Sequence, residues 1–266
     1  MLAATPAKGK LFFVSFTVHP RHNLSVTGAF LNALGILLGG LLGLMQQKLF
    51  GLRTQLFFRS ALGAFIVLFG LQLVWENLGG NLVTGLKQLF IVALAVVIGF
   101  WTGRLLRLQT LSNRLGRYAS SLIATAQKNP PGRPGDGFLA GSILFSAAPL
   151  GILGAVADGL GGYVQLLAVK GVMDALAAAA FVKLFNWPAA LAAAPVFLIL
   201  TGITAACHSL GEGVLATPAG AHPVMVAVGF VTCSLPLVIF EVRRVELANF
   251  LPALAVAPVL AKFLGW

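Results

Sequence analysis

The chain has 266 residues, of which 58% are hydrophobic and only 9% charged, with a formal net charge of +11. A water-soluble domain of this size carries roughly 25% charged residues to cover its surface, so a soluble globular fold is excluded. The cations sit in short stretches between apolar blocks, with no basic face or aromatic platform, which excludes a nucleic-acid-binding protein.

At the N-terminus, Lys8 and Lys10 precede an apolar run from Leu11 to Val18 in the manner of a signal peptide. His19-Pro20-Arg21-His22 follows with no small-residue cleavage site, so residues 1–24 read as an uncleaved N-terminal extension or as the product of a start codon placed too early. Eight apolar blocks come next, at 25–45, 58–76, 88–106, 137–158, 163–184, 188–209, 222–241 and 247–264. A bilayer crossing takes ~20 residues of helix. The expected fold is therefore all-α, a polytopic transmembrane helical bundle of about eight spans. Spans one to three form a first membrane helix group over 25–106, spans four to eight a second over 137–266, and 107–136 a basic linker.

The first span carries Asn32 and then Gly35, Gly39 and Gly43, four residues apart. Such a face lets another helix approach closely, which is a main source of association in lipid. Gly99 and Gly103 repeat the pattern in the third span. Packing within the protomer is the first expectation for these faces, a homo-oligomer contact the second. Gln72 is the polar residue of the second span.

In the linker, Leu108, Leu111, Leu115, Tyr118 and Leu122 recur at helical spacing, among Arg104, Arg107, Arg114, Arg117, Lys128 and Arg133. This describes a basic amphipathic helix lying on the lipid bilayer, or else a cytoplasmic extension of span three. The Pro/Gly cluster at 129–135 then breaks it.

Asp158 ends the fourth span, just before Gly159, Gly161 and Gly162, which suit a tight turn or a broken helix. On the fifth span Lys170 and Asp174 lie one turn apart and face the same way. Either alone near mid-bilayer costs ~2.5–3.5 kcal/mol on insertion scales; together they neutralise one another. Asp158, Lys170 and Asp174 thus make a charged centre for an ion, a proton or a small solute. Asn32, Gln72, Thr201 and Thr204 supply its polar walls. The alternative is a structural salt bridge holding spans four and five together.

Cys207, His208, Glu212 and His222 match no established metal spacing, so neither a metal nor another cofactor is expected. Cys207 and Cys233 read as packed membrane thiols. No nucleophile–base motif, Walker loop or dinucleotide fingerprint is present, and no enzyme activity is expected.

Loops after the odd-numbered spans hold Lys48, Arg53, Arg59, the six linker cations, Lys183, Arg243 and Arg244. The opposite side holds Lys8, Lys10, Arg21, Lys87 and Lys262. Twelve cations against five orient a bacterial inner-membrane protein with both termini periplasmic. The run Ala61-Leu62-Gly63-Ala64-Phe65 in span two resembles Ala227-Val228-Gly229-Phe230 in span seven. Ala93-Leu94-Ala95-Val96 likewise resembles Ala253-Leu254-Ala255-Val256. These matches suggest an inverted repeat relating spans 1–3 to spans 6–8, a construction rule of secondary transporters.

Several of these segments carry a family resemblance. They are Leu31-Asn32-Ala33 with the glycines through Gly43, Ala61-Leu62-Gly63 with Gly70, Gly154 with Asp158-Gly159, and Lys170 through Asp174. Ala227-Val228-Gly229 and Ala248-Asn249-Phe250-Leu251-Pro252-Ala253 complete the set. In them the chain, from about residue 26 to its C-terminus, resembles the domain of unknown function 554 family, the YqgA/YdfK-like bacterial integral membrane proteins. The resemblance implies an architecture and a predicted transporter, with no substrate attached. Thr201 stands where a Gln is expected, and Pro149 where a small non-proline residue is expected. The function read from the sequence is a secondary transporter or channel-like protein for a small solute or ion. The alternative is a non-transporting scaffold or regulator with a structural Lys–Asp pair.

Overall fold

The computed structural model describes residues 26–45, 51–128, 133–213, 215, 218–240, 242 and 245–266. The N-terminal extension with Lys8, Lys10 and Arg21 lies outside the described residues, as do Lys48, Arg243, Arg244 and 129–132.

The protein is all-α. Its helices are α1 (Thr27–Met45), α2 (Leu52–Asn77), α3 (Leu82–Leu105), α4 (Leu108–Lys128) and α5 (Pro134–Ser146). They continue as α6 (Pro149–Gly161), α7 (Gln165–Phe185), α8 (Ala193–Glu212), α9 (Pro218–Ile239) and α10 (Ala253–Leu264). Short 3-10 turns, Trp187–Ala192 and Leu247–Phe250, lead into α8 and α10. No strand occurs among the described residues. Seven segments are long and apolar enough to cross a bilayer singly, and α5 with α6 makes a further pair bent by 57°. This is a multi-pass membrane protein.

Contacts between helices fix their directions. Gly28, Gly35, Gly39 and Gly43 of α1 meet Leu167, Gly171, Ala175 and Ala179 of α7 in turn, so these two helices run parallel. The face where α1 begins is the first face, and the face where it ends is the second. Near the second face, Gly137 at the start of α5 abuts Phe185 at the end of α7. Near the first, Gly159 at the end of α6 abuts Thr204 and Cys207 in the latter half of α8. The α5–α6 pair therefore travels from one face to the other and is one broken span. With it the chain crosses eight times.

The break has a local cause. Proline lacks the N–H that would continue α5 and disfavours helical backbone in the residue before it. Ala148 is accordingly extended, with ψ 123°, and Pro149 begins α6 at a position that suits proline. The single apolar block read at 137–158 is thus two half-helices. The glycines after Asp158 make a turn instead: Gly162, at φ 69°, caps α6 in the left-handed region.

Two further pairs are antiparallel. Gly70 of α2 packs on Gly229 and Cys233 of α9, and Gly99 and Gly103 of α3 pack on Ala253 at the start of α10 and on Asn249 just ahead of it. A Cβ added at Gly35, Gly39, Gly43, Gly99 or Gly103 would strike neighbouring backbone. All five glycines pack against neighbouring helices within the protomer.

Between α3 and α4, Arg107 adopts φ 55°, and the chain turns there. So α4 is a separate helix and no extension of span three. Its first turn is tied to the start of the last span, where the Gln109 backbone N–H donates to Asn249 Oδ1 at 3.1 Å. Its far end buries Ala126 with Val182, Phe185 and Ala189. Thus α4 runs across the second face from the α3/α10 side to the α5/α7 side.

Candidate functional site

The parallel contact of α1 with α7 sets up the deepest polar cluster. Glycines on α1 bring the two backbones together, and Gly171 in turn lies against the backbone of Leu31 and Asn32. Asn32 is thereby carried to Asp174: its Nδ2 donates to Asp174 Oδ2 at 2.9 Å. The Lys170 ammonium bonds the same oxygen from one turn earlier on α7. All three side chains are covered, with Asn32 0%, Lys170 1% and Asp174 8% exposed. A buried charge survives in such surroundings only when paired and hydrogen-bonded, and here each ion supplies the other's partner. Asn32 Oδ1 is buried with no hydrogen-bond partner among the described residues.

Over this cluster lies the first turn of α6. A Cβ at Gly151 would come within 2.7 Å of Lys170 Cε and 3.3 Å of Leu200 Cδ2. A side chain there would push the lysine stem aside. The lysine stem therefore passes beside the first turn of α6, the positive end of a half-helix dipole, and the ammonium is paired with Asp174. Gly151 did not stand out in the sequence. The signal that could have found it was Pro149, which starts a helix two residues earlier.

The other polar residues read from the sequence fall into separate places. Asp158 lies one turn of α1 from Asn32: its Oδ2 accepts the Gly28 backbone N–H at 3.2 Å, at the start of α1. A carboxylate at a helix N-terminus is favourably placed for the dipole. Thr204 is fully buried, and its carbonyl lies against Gly159. The Thr201 and Thr204 hydroxyls are buried without hydrogen-bond partners among the described residues. Gln72 belongs to another group: its Nε2 donates to Glu76 Oε1 at 2.7 Å, and the Tyr163 hydroxyl donates to Glu76 Oε2 at 2.9 Å. This triad sits at the first face, and neither Glu76 nor Tyr163 was singled out from sequence. On α8, His208 Nε2 lies 3.4 Å from Glu212 Oε1. No group of three or more His, Cys, Asp or Glu able to hold a metal occurs among the described residues.

A groove of about 380 Å³ opens beside the cluster, between α2, α7 and the end of α9, with Gln55, Arg59 and Ile239 toward the second face. Met173, the residue before Asp174, and Ala177, three residues after it, line it, but Lys170 and Asp174 do not.

The family model described as protein of unknown function (DUF554) matches residues 27–262. The uncharacterized protein YqgA of Escherichia coli (strain K12) is 28% identical over 244 residues, covering 91% of this chain and 99% of its own length. No solved structure matches.

Proposed function

The chain belongs to the DUF554 family, and from that premise we propose that it carries a small solute or ion across the bilayer through a centre formed by Asn32, Lys170 and Asp174. One observation carries the reading. A buried lysine–aspartate–asparagine cluster lies against the first turn of a half-helix, at the break in a membrane span. Broken spans whose ends face charged groups near mid-membrane are a recurrent arrangement in secondary transporters, and intramembrane carboxylates serve there as proton relays. In this conformation the centre is closed. Met173 and Ala177 line the groove while Asp174 does not, so solute passage requires this part of α7 to move.

The antiparallel packing of α2 with α9 and of α3 with α10 supports an inverted relation between spans 1–3 and spans 6–8. The excess of arginine and lysine at the second face supports a bacterial inner-membrane orientation with that face cytoplasmic and both termini periplasmic.

The test is uptake into proteoliposomes of a panel of small ions and charged solutes, with and without a pH gradient. Wild type moves at least one of them, and Asp174→Asn and the double variant Lys170→Ala/Asp174→Ala do not. Flux that survives the double variant removes the cluster from the pathway. A second reading is favoured by the near-complete burial of the pair: a non-transporting scaffold in which Lys170–Asp174 only holds α7 in place. It predicts no flux for any solute and loss of stability alone in the variants.

A further inference from the structure

Outside the charged centre, the least compensated chemistry in the molecule is on α4 and the turn before it. From Trp101 to Gly135 the sequence carries six arginines and lysines and no aspartate or glutamate. Arg104, Arg107, Arg114 and Arg117 are exposed, and none makes an ion pair among the described residues. Arg104 lies over the Trp101 ring, 5.5 Å from its centroid.

The same helix exposes large apolar side chains. Leu111 is 57% and Tyr118 49% exposed, and Leu115 stands beside them at 38%. At 100° per residue these three share one stripe of α4. The buried Ala119 and Ala126 mark a second stripe, turned toward the protein, and Arg114 with Arg117 a third. A helix with protein on one side needs only one further environment if its outer surface is uniform. This one has two, an apolar stripe and a cationic stripe side by side, and that is the signature of a helix at a membrane interface.

We propose that α4 is a binding surface for anionic phospholipid at the second face. Leu111, Leu115 and Tyr118 lie at the acyl-chain boundary, and Arg107, Arg114 and Arg117 hold headgroup phosphates. Charge complementarity selects an anionic lipid over a zwitterionic one. The apolar stripe selects a lipid over a free phosphate or a nucleic acid, neither of which would cover leucine. The surface is independent of the transport reading.

The experiment has two arms, both on the full chain. In detergent, phosphatidylglycerol raises the unfolding temperature, while phosphatidylcholine and glycerol 3-phosphate do not. Arg114→Gln with Arg117→Gln weakens the apparent affinity for phosphatidylglycerol roughly thirtyfold, at about a fivefold loss for each arginine. In vesicles of phosphatidylcholine with one third phosphatidylglycerol, a fluorophore is attached through Leu115→Cys or Arg117→Cys in a background lacking Cys207 and Cys233. Brominated acyl chains quench it at 115, and aqueous iodide quenches it at 117. An equal response to both lipids, a response to glycerol 3-phosphate alone, or iodide quenching of both positions alike overturns the proposal.

Discussion

Asn32 of α1 and Asp174 of α7 are 142 positions apart in sequence, yet the amide of one donates to the carboxylate of the other at 2.9 Å. That oxygen also takes the Lys170 ammonium, so one atom joins two helices and balances one charge. Removing a single partner leaves a buried ion uncompensated, which costs about 3–5 kcal/mol, whereas replacing both by apolar residues is often close to neutral. Lys170→Met is therefore expected to destabilise strongly, and Lys170→Met with Asp174→Leu to recover most of the loss. Unfolding in mixed micelles measures both. Additive losses would mean that the pair is not coupled.

The α1–α7 contact depends on missing side chains. At Gly39 a Cβ would meet Ala175 backbone, whereas at Gly85 of α3 nothing lies within 4 Å. Overpacking a tight contact costs about 1–3 kcal/mol. Gly39→Ala should lower the unfolding midpoint clearly and Gly85→Ala should not, although both place the same residue in an apolar helix. Equal effects would show that helix propensity, and no close approach, governs the response.

Asp158 holds the start of α1 through the Gly28 N–H. Losing an oxygen acceptor at a helix N-terminus costs about 0.5–2 kcal/mol. Asp158→Ala is expected to speed hydrogen exchange in the first turn of α1, and Asp158→Asn, which keeps an oxygen acceptor, to do so less. Unchanged exchange in Asp158→Ala would remove this residue from the helix start.

The eight crossings were legible because a bilayer imposes a length of apolar helix that composition reveals directly. The i, i+4 spacing of Lys170 and Asp174 also puts them on one face of α7 whatever the rest of the fold does. Tertiary placement was not legible in the same way. Asp158 looks like a third member of the charged centre because only six residues separate it from the helix that carries Lys170. The left-handed cap at Gly162 instead leaves Asp158 at the entry to α1. Gln72 looks like a wall of that centre, but its fate depends on Glu76 and on Tyr163, 87 positions beyond that glutamate. No local pattern in α2 encodes that meeting. The same holds for Gly151, whose missing side chain matters only because Lys170 crosses it.

Tyr163 lies in the connection between α6 and α7, outside both helices, and offers a pH signature. Burial, then the hydrogen bond and charge of Glu76, raise its phenol from the ordinary 10.0 to about 12, with Asn77 acting in the opposite direction. A raised value means the folded chain keeps a proton that the unfolded chain has already released. The contribution to stability is thus complete below pH 10.0 and is lost as pH rises through about 12. In a Tyr118→Phe background, which leaves Tyr163 as the one remaining tyrosine, tyrosinate absorbance should develop near pH 12 in the folded protein. Glu76→Gln should shift that titration toward 10, since the charge is removed while burial persists. Tyr163→Phe should abolish this part of the alkaline loss of stability. Ionisation of Tyr163 near 10 with Glu76 intact would mean that the phenol and the carboxylate do not meet in the folded protein.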